Sequence, residues 1–274
     1  MIDASHAQEK EDREEGPVVL RIFSYLPNPR VWKSLFVARL TGARIEMTGD
    51  KPGELSNWLW DVEPRLLTDA DRTEMSGSQS RRGFSSTLYK TDAFLAAHPF
   101  GTVPAAFSPD GMGIFESNSI LRATARAAPD IGLYGNDVYS VSRIDSFLDA
   151  NLVFAREAQV YLLALQGKAA DVSHHERMAA AYEFFLHGIE SALARTPFLT
   201  GERLSIADIS FACDVAQFLR EGHYREYVEG QLDTHLVSEN IRCEYPRAVQ
   251  MMLDLAERDE CAELKRYLRW WTED

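Results

Sequence analysis

Residues 94–122 read FLAAHPFGTVPAAFSPDGMGIFESNSILR, and this stretch limits the fold more tightly than the rest of the chain. It opens inside TDAFLAAHP, a run with helical apolar spacing that Pro99 stops. Val103-Pro104-Ala105-Ala106-Phe107 is short, apolar and suited to a strand. A proline there cannot donate to an interior ladder, so an ordinary edge position is one reading of Pro104. Pro109-Asp110-Gly111 carries tight-turn chemistry, and Gly113-Ile114-Phe115 returns as the partner strand of a hairpin. Ser117 stands where a helix running through Ala127 needs an N-cap, and Pro129 ends the unit.

Upstream, Val18-Val19-Leu20-Arg21-Ile22-Phe23-Ser24 reads as a buried strand. The turn-rich Leu26-Pro27-Asn28-Pro29 follows, then VWKSLFVARLTG with helical spacing and Gly42 as its stop, then ARIEM as a second strand. Strand, helix and strand in that order predict a parallel βαβ unit. Residues 49–92 fit no simple pattern. WLWDVEPRLL reads as a short helix and SGSQSRRGFSS as a loop. Extra loop length costs little, so the segment is expected as an insertion, either functional and mobile or merely tolerated at the surface.

From about Ser140 the pattern changes to helices. SRIDSFLDANLVFAREAQVYLLAL, ERMAAAYEFFLHGIESAL, IADISFACDVAQFL and YPRAVQMMLDLAERDECAELKRYL all place apolar residues three and four apart. Ser205-Ile206-Ala207-Asp208 has the form of a capping box. The expected fold class is therefore α/β plus all-α. The expected divisions are a disordered acidic tail over 1–17, a mixed domain over 18–129 with an insertion at about 49–92, and a helical domain over 136–274.

The net charge of −13 repels phosphate backbones and anionic lipid, so nucleic acid and membrane are not the expected partners. Cys213, Cys243 and Cys261 are odd in number and without metal-ligand spacing, which fits reduced thiols in a cytoplasmic protein. No apolar run approaches the ~20 residues that span a bilayer, and the first residues lack the basic-then-apolar layout of a secretion signal. His174-His175 lies in a polar stretch and reads as solvated, so no metal is expected.

Two segments carry a family resemblance. FLAAHPFGTVPAAFSPDGMGIFESNSILR resembles the glutathione-transferase pattern of Pro, Gly, Val-Pro, a hairpin and Glu-Ser at a helix start. FLTGERLSIADISFACDV resembles that family's Ser-x-x-Asp capping box. The resemblance covers roughly 18–270 apart from the 49–92 segment. Its nearest flavours are theta-like and Nu-like bacterial enzymes, the transferase-like domain of elongation factor 1B gamma, and bacterial lignin β-aryl-etherases.

The resemblance implies a thioredoxin-like domain followed by a helical bundle, glutathione as cosubstrate, and a dimer of identical or related chains. It implies a cis bond between Val103 and Pro104, with the backbone of Val103 pairing with the cysteinyl backbone of glutathione. Glu116 would take the γ-glutamyl ammonium, and Ser117 the carboxylate at a helix N-terminus. Thr102 stands where many relatives carry Gln or Lys for the glycyl end. A thiol of pKa ~8.5 must be held as thiolate. The loop after the first strand offers Asn28 first, then Tyr25, then Ser24, with Leu26 in the place of a Nu-like Thr. Asn28 also fits a plain turn residue before a helix.

Phe147, Phe154 and Tyr161 recur every seven residues and would line an aromatic pocket, although such a stripe more often forms core or a dimer contact. The implied reaction is displacement by glutathione thiolate on a hydrophobic, aromatic electrophile. Cleavage of a lignin-derived β-aryl ether is one version. The alternative is a non-catalytic binding or scaffold subunit of a heterodimer, or an elongation-factor-like module.

Overall fold

The computed structural model describes residues 17–79 and 86–273. All but the last residue of the expected acidic tail lies outside them, as do residues 80–85 of the loop-like SGSQSRRGFSS. The chain divides into two compact units, Met1–Ala128 and Pro129–Asp274.

In the first unit β1 (Val18–Tyr25) leads into α1 (Pro29–Thr41) and β2 (Arg44–Asp50), and β1 and β2 are parallel. Gly42 ends α1 in the left-handed conformation at φ 73°, which glycine takes without steric cost. The 49–92 segment departs from the expectation. WLWDVEPRLL holds no helix: it forms β3 (Trp58–Trp60) and β4 (Arg65–Leu66), an antiparallel pair. Pro64 interrupts any helical ladder there, and the Trp-Leu-Trp run buries Leu59 and Trp60 as a strand does. After α2 (Asp69–Glu74) come β5 (Ser78–Gln79) and β6 (Thr87–Lys90), which complete a second four-stranded sheet in the order β4-β3-β6-β5.

The chain returns through α3 (Asp92–Ala97) to β7 (Ala105–Phe107), β8 (Gly113–Phe115) and α4 (Ser117–Arg126). The first sheet has the order β2-β1-β7-β8. Its side chains alternate as strand geometry requires. Leu20, Ile22 and Ala106 meet Val31 of α1 and Ile120 of α4. Phe23, Ala105 and Phe107 face the opposite way and pack with Leu55, Trp60, Leu88 and Phe94. The 49–92 segment thus supplies three of the seven buried residues of that cluster, Leu55, Trp60 and Leu88. This arrangement of a βαβ unit and a ββα unit is the thioredoxin-like fold.

The second unit is helical: α5 (Val138–Gln166), α6 (Val172–Leu193), α7 (Ile206–Phe218), α8 (Arg225–Gln231), α9 (Ile241–Glu244), α10 (Pro246–Ala256) and α11 (Ala262–Thr272). Its sole strand-like pairing among the described residues is an isolated bridge between Phe198 and Gly201. α7 is buried on every side and lies at the centre, with twelve of its residues buried. Its N-terminus is the capping box seen in the sequence. The Ser205 hydroxyl accepts from the Ala207 N–H at 3.3 Å, and Asp208 accepts from the Ser205 N–H at 2.8 Å.

A second buried carboxylate, Glu221, accepts from the backbone N–H of Val237 and Ser238, the Ser238 hydroxyl and the Tyr161 hydroxyl at 2.8–3.1 Å. Burial, followed by this carboxylate, pushes the Tyr161 phenol well above its ordinary pKa. No helix of the described residues is long and apolar enough to cross a membrane.

Candidate functional site

The residues around Val103 come together because β1 and β7 are neighbours. Their antiparallel register sets Phe23 opposite Ala105. Carried on by two residues, it sets Tyr25 beside Val103, and both pack against the same buried cluster. The Val103–Pro104 bond is cis, and so is Leu26–Pro27 in the loop after β1.

The three candidate thiolate partners are placed differently from one another. Asn28 is fully buried and is the N-cap of α1. Its amide oxygen accepts from the Arg30 N–H at 3.1 Å, and its amide N–H donates to the Ser24 hydroxyl at 3.0 Å. Ser24 is equally buried. Tyr25 is the only one of the three that is not. Asn28 thus has the contacts of a capping turn residue, and Tyr25 is the more exposed of the candidates.

Glu116 and Ser117 open α4, with their roles shifted by one residue from expectation. Glu116 occupies the N-cap position at φ 66° and ψ 125°, and its carbonyl accepts from the Ser119 and Ile120 N–H groups at 2.9 and 3.0 Å. Ser117 is the first helical residue, so the helix lacks a side-chain cap. A non-glycine residue at that φ costs about 1–3 kcal/mol and persists only where its surroundings fix it, a pattern concentrated at ligand-binding positions. The exposed N–H groups of the first turn and the helix dipole favour an anion here.

Two lysines complete the surroundings. Lys33 of α1 is fully buried, and its ammonium donates to the Asn118 side-chain oxygen at 3.0 Å and lies 3.4 Å from the Ser117 hydroxyl oxygen. Lys90, at the end of β6, donates to the Gly101 carbonyl at 2.7 Å and lies 4.9 Å from the Trp60 ring centre. Gly101 makes room for it: at φ 58° a side chain is strained, and a Cβ there would stand 3.3 Å from the Lys90 nitrogen. Burial lowers the Lys90 pKa. Thr102 is exposed. Lys90 therefore sets a positive charge against the Gly101 carbonyl, two residues before Val103. Neither lysine stands out in the sequence: one lies within an amphipathic helix and the other within the segment taken as an insertion.

His98 is almost fully buried between Phe94 and Phe115, and neither ring nitrogen has a hydrogen-bond partner among the described residues. Burial is the main cause of its lowered pKa, and the Lys90 ammonium acts in the same direction. The folded state therefore resists the proton that the unfolded chain accepts near pH 6.5. The stability tied to a neutral His98 is complete above that pH and is lost as pH falls below it through the folded-state value. In urea titrations from pH 8 to 5, His98→Leu is expected to flatten this part of the curve. A wild-type slope that survives the substitution places the titrating group elsewhere.

In the helical unit the aromatic stripe divides. Phe154 is 1% exposed and stacks on Phe185 at 4.7 Å, and Tyr161 is buried against Glu221. Both are core, because helical periodicity marks one face of α5 and that face points inward. Phe147 is half-buried and lines a cavity of about 1000 Å³ with Arg143, Glu183, Phe184, Phe185 and Arg195.

His174 and His175 sit in the first turn of α6. His174 pairs with the capping Asp171, and a ring nitrogen of His175 with the His235 carbonyl. The donor atoms of Glu229, His235 and Glu239 lie within 4.8 Å of one another on the surface, and the Arg225 guanidinium bridges the two carboxylates.

Residues 171–250 match the family model of the glutathione S-transferase C-terminal domain. The glutathione S-transferase-like protein FUS3 of Gibberella moniliformis is 23% identical over 89% of this chain and 90% of its own length. Elongation factor 1-gamma 1 of Oryza sativa is 33% identical over 46% of this chain, and the matched part is 30% of that factor. Among crystal structures, a glutathione S-transferase of Methylobacillus flagellatus with glutathione bound superposes at a TM-score of 0.61 over 89% of this chain and 98% of its own, at 16% identity. The fold is that of the glutathione transferases. Over most of its length the chain is similar to glutathione S-transferases in sequence and in fold.

Proposed function

We propose that this chain binds glutathione on its thioredoxin-like unit and presents it as a thiolate to a hydrophobic, aromatic electrophile. The observation that carries the reading is the juxtaposition of Tyr25 with Val103, flanked by Lys90 and by the start of α4. The Val103 backbone pairs with the cysteinyl residue, the Ser117 end takes the γ-glutamyl carboxylate and Glu116 its ammonium. Lys90 takes the glycyl carboxylate, and the Tyr25 hydroxyl donates to the sulfur. Holding the thiolate and orienting it towards carbon are the protein's contributions to the displacement.

The test is calorimetry with glutathione together with turnover of 1-chloro-2,4-dinitrobenzene. Binding with turnover is the expected result, and absence of binding at millimolar glutathione would remove the reading.

A second reading, a non-catalytic binding subunit, is favoured by one feature: Leu26 occupies the place of a hydroxyl residue, and the nearby Ser24 and Asn28 are spent on each other. Binding without turnover is its signature.

The proposed assembly is a dimer through the α5–α6 face, where Phe184 is 79% exposed beside Arg143, Glu183 and Arg195. Both signs of charge on one apolar face suit a two-fold contact. A sedimentation mass near 31.0 kDa at micromolar concentration would exclude it.

A further inference from the structure

We infer that Lys33 is a positioning residue of the proposed glutathione site, setting the Ser117 hydroxyl and the charge at the start of α4 for the γ-glutamyl carboxylate. The inference rests on the glutathione reading above.

Lysine is among the residues least often buried whole, because an ammonium taken from water must be repaid by polar partners. Lys33 is nevertheless fully buried, and two of its partners are consecutive residues in the first turn of α4. That placement has two consequences. First, an ammonium can only donate, so its approach to the Ser117 oxygen uses a lone pair of that hydroxyl. The hydroxyl hydrogen is then left to point away from Lys33, free to donate to a carboxylate. Secondly, a whole positive charge stands behind the half charge of the helix N-terminus. It acts through a poorly solvated interior, where screening is weak. In a chain of net charge −13, an anionic tripeptide meets an unfavourable overall field. A local cation fixed behind the anion subsite offsets that field where the ligand binds. Asn118, itself buried, holds the ammonium in place at 3.0 Å.

The experiment compares glutathione with cysteinylglycine, which lacks the γ-glutamyl residue, by calorimetry on wild type, Lys33→Met and Asn118→Asp. Lys33→Met keeps the length of the side chain and removes its charge. Asn118→Asp leaves Lys33 in place and sets a carboxylate against it, which cancels the charge. Both variants are expected to bind glutathione about tenfold or more weaker than wild type, with cysteinylglycine binding unchanged. If Lys33→Met does not fold, Asn118→Asp decides. Glutathione affinity equal to wild type overturns the inference. So does an equal loss for both ligands, which would mark Lys33 as structural only. Failure of the wild type itself to bind glutathione would overturn the glutathione reading and this inference with it, and it is told apart by appearing in the unaltered protein.

Discussion

Asp208→Ala lowers the stability of the folded protein by about 3–5 kcal/mol, the sum expected for stranding several buried donors. Asp208 is fully buried and accepts the Leu199 N–H, the Ser205 N–H and the Ser205 hydroxyl, each at 2.8 Å. Truncation leaves both backbone groups inside without a partner and opens the capping box of α7, the helix around which the second unit is packed. Urea denaturation followed by far-ultraviolet circular dichroism measures the loss. A change below 1 kcal/mol would mean that water or a shifted backbone takes over the donors. Burial, only partly offset by the three hydrogen bonds, raises the Asp208 pKa above the ordinary carboxylate value of 3.8. A raised folded-state pKa favours the protonated form, so this group's contribution is greatest below 3.8 and declines as pH rises through the folded-state value. Asp208→Asn, which cannot titrate, is expected to lose that decline.

Tyr25→Phe lowers turnover with glutathione and an aryl halide about a hundredfold near pH 7, the scale on which a single charge-stabilising donor acts. In the proposed role the phenol donates to the sulfur and takes no proton, so its loss is expected to raise the pKa of the bound thiol towards the free value of about 8.5. Much of the lost rate should return above that pH. The measurement is the pH dependence of thiolate absorbance and of turnover in wild type, Tyr25→Phe and Asn28→Ala. Asn28→Ala removes the cap of α1 and is expected to cost about 1 kcal/mol of stability while leaving the thiol pKa in place. If Asn28→Ala moves the pKa and Tyr25→Phe does not, the assignment reverses, and the positional ranking is the better one.

What could be read from the sequence was local. Pro109-Asp110-Gly111, Gly42 and Ser205-Ile206-Ala207-Asp208 act on their own backbones, so turn, helix end and capping box follow from residue type alone. The Val-Pro and Glu-Ser motifs carried the family for the same reason: each is a short run whose parts touch one another. WLWDVEPRLL was misread because aromatic residues serve a helix and a strand alike. Its state is decided by Leu88 and Tyr89, some thirty residues further on. Phe154 and Tyr161 show that spacing identifies a face and leaves open what the face meets. Lys33 and Lys90 were illegible for a stronger reason. Their roles depend on Asn118 and Gly101, which the fold brings to them, and a lysine in an amphipathic pattern looks like any solvated one. The contacts of Asn28 were hidden in the same way: position in the loop does not say which side chain the cap consumes.

The second sheet has a consequence for how this chain can change over generations. Trp60 and Leu88 belong to the buried cluster against which Tyr25 and Val103 pack, and Lys90 stands at the end of the same sheet with its ammonium against Gly101. Drift at Trp60, Leu88 or Lys90 therefore reaches the proposed ligand subsite without altering any residue of the Val-Pro or Glu-Ser motifs. Divergent lineages could retune affinity through their tryptophans and leucines while those motifs stay the same, and a recombined gene that takes the motifs from one lineage and this sheet from another would inherit a mismatched lysine.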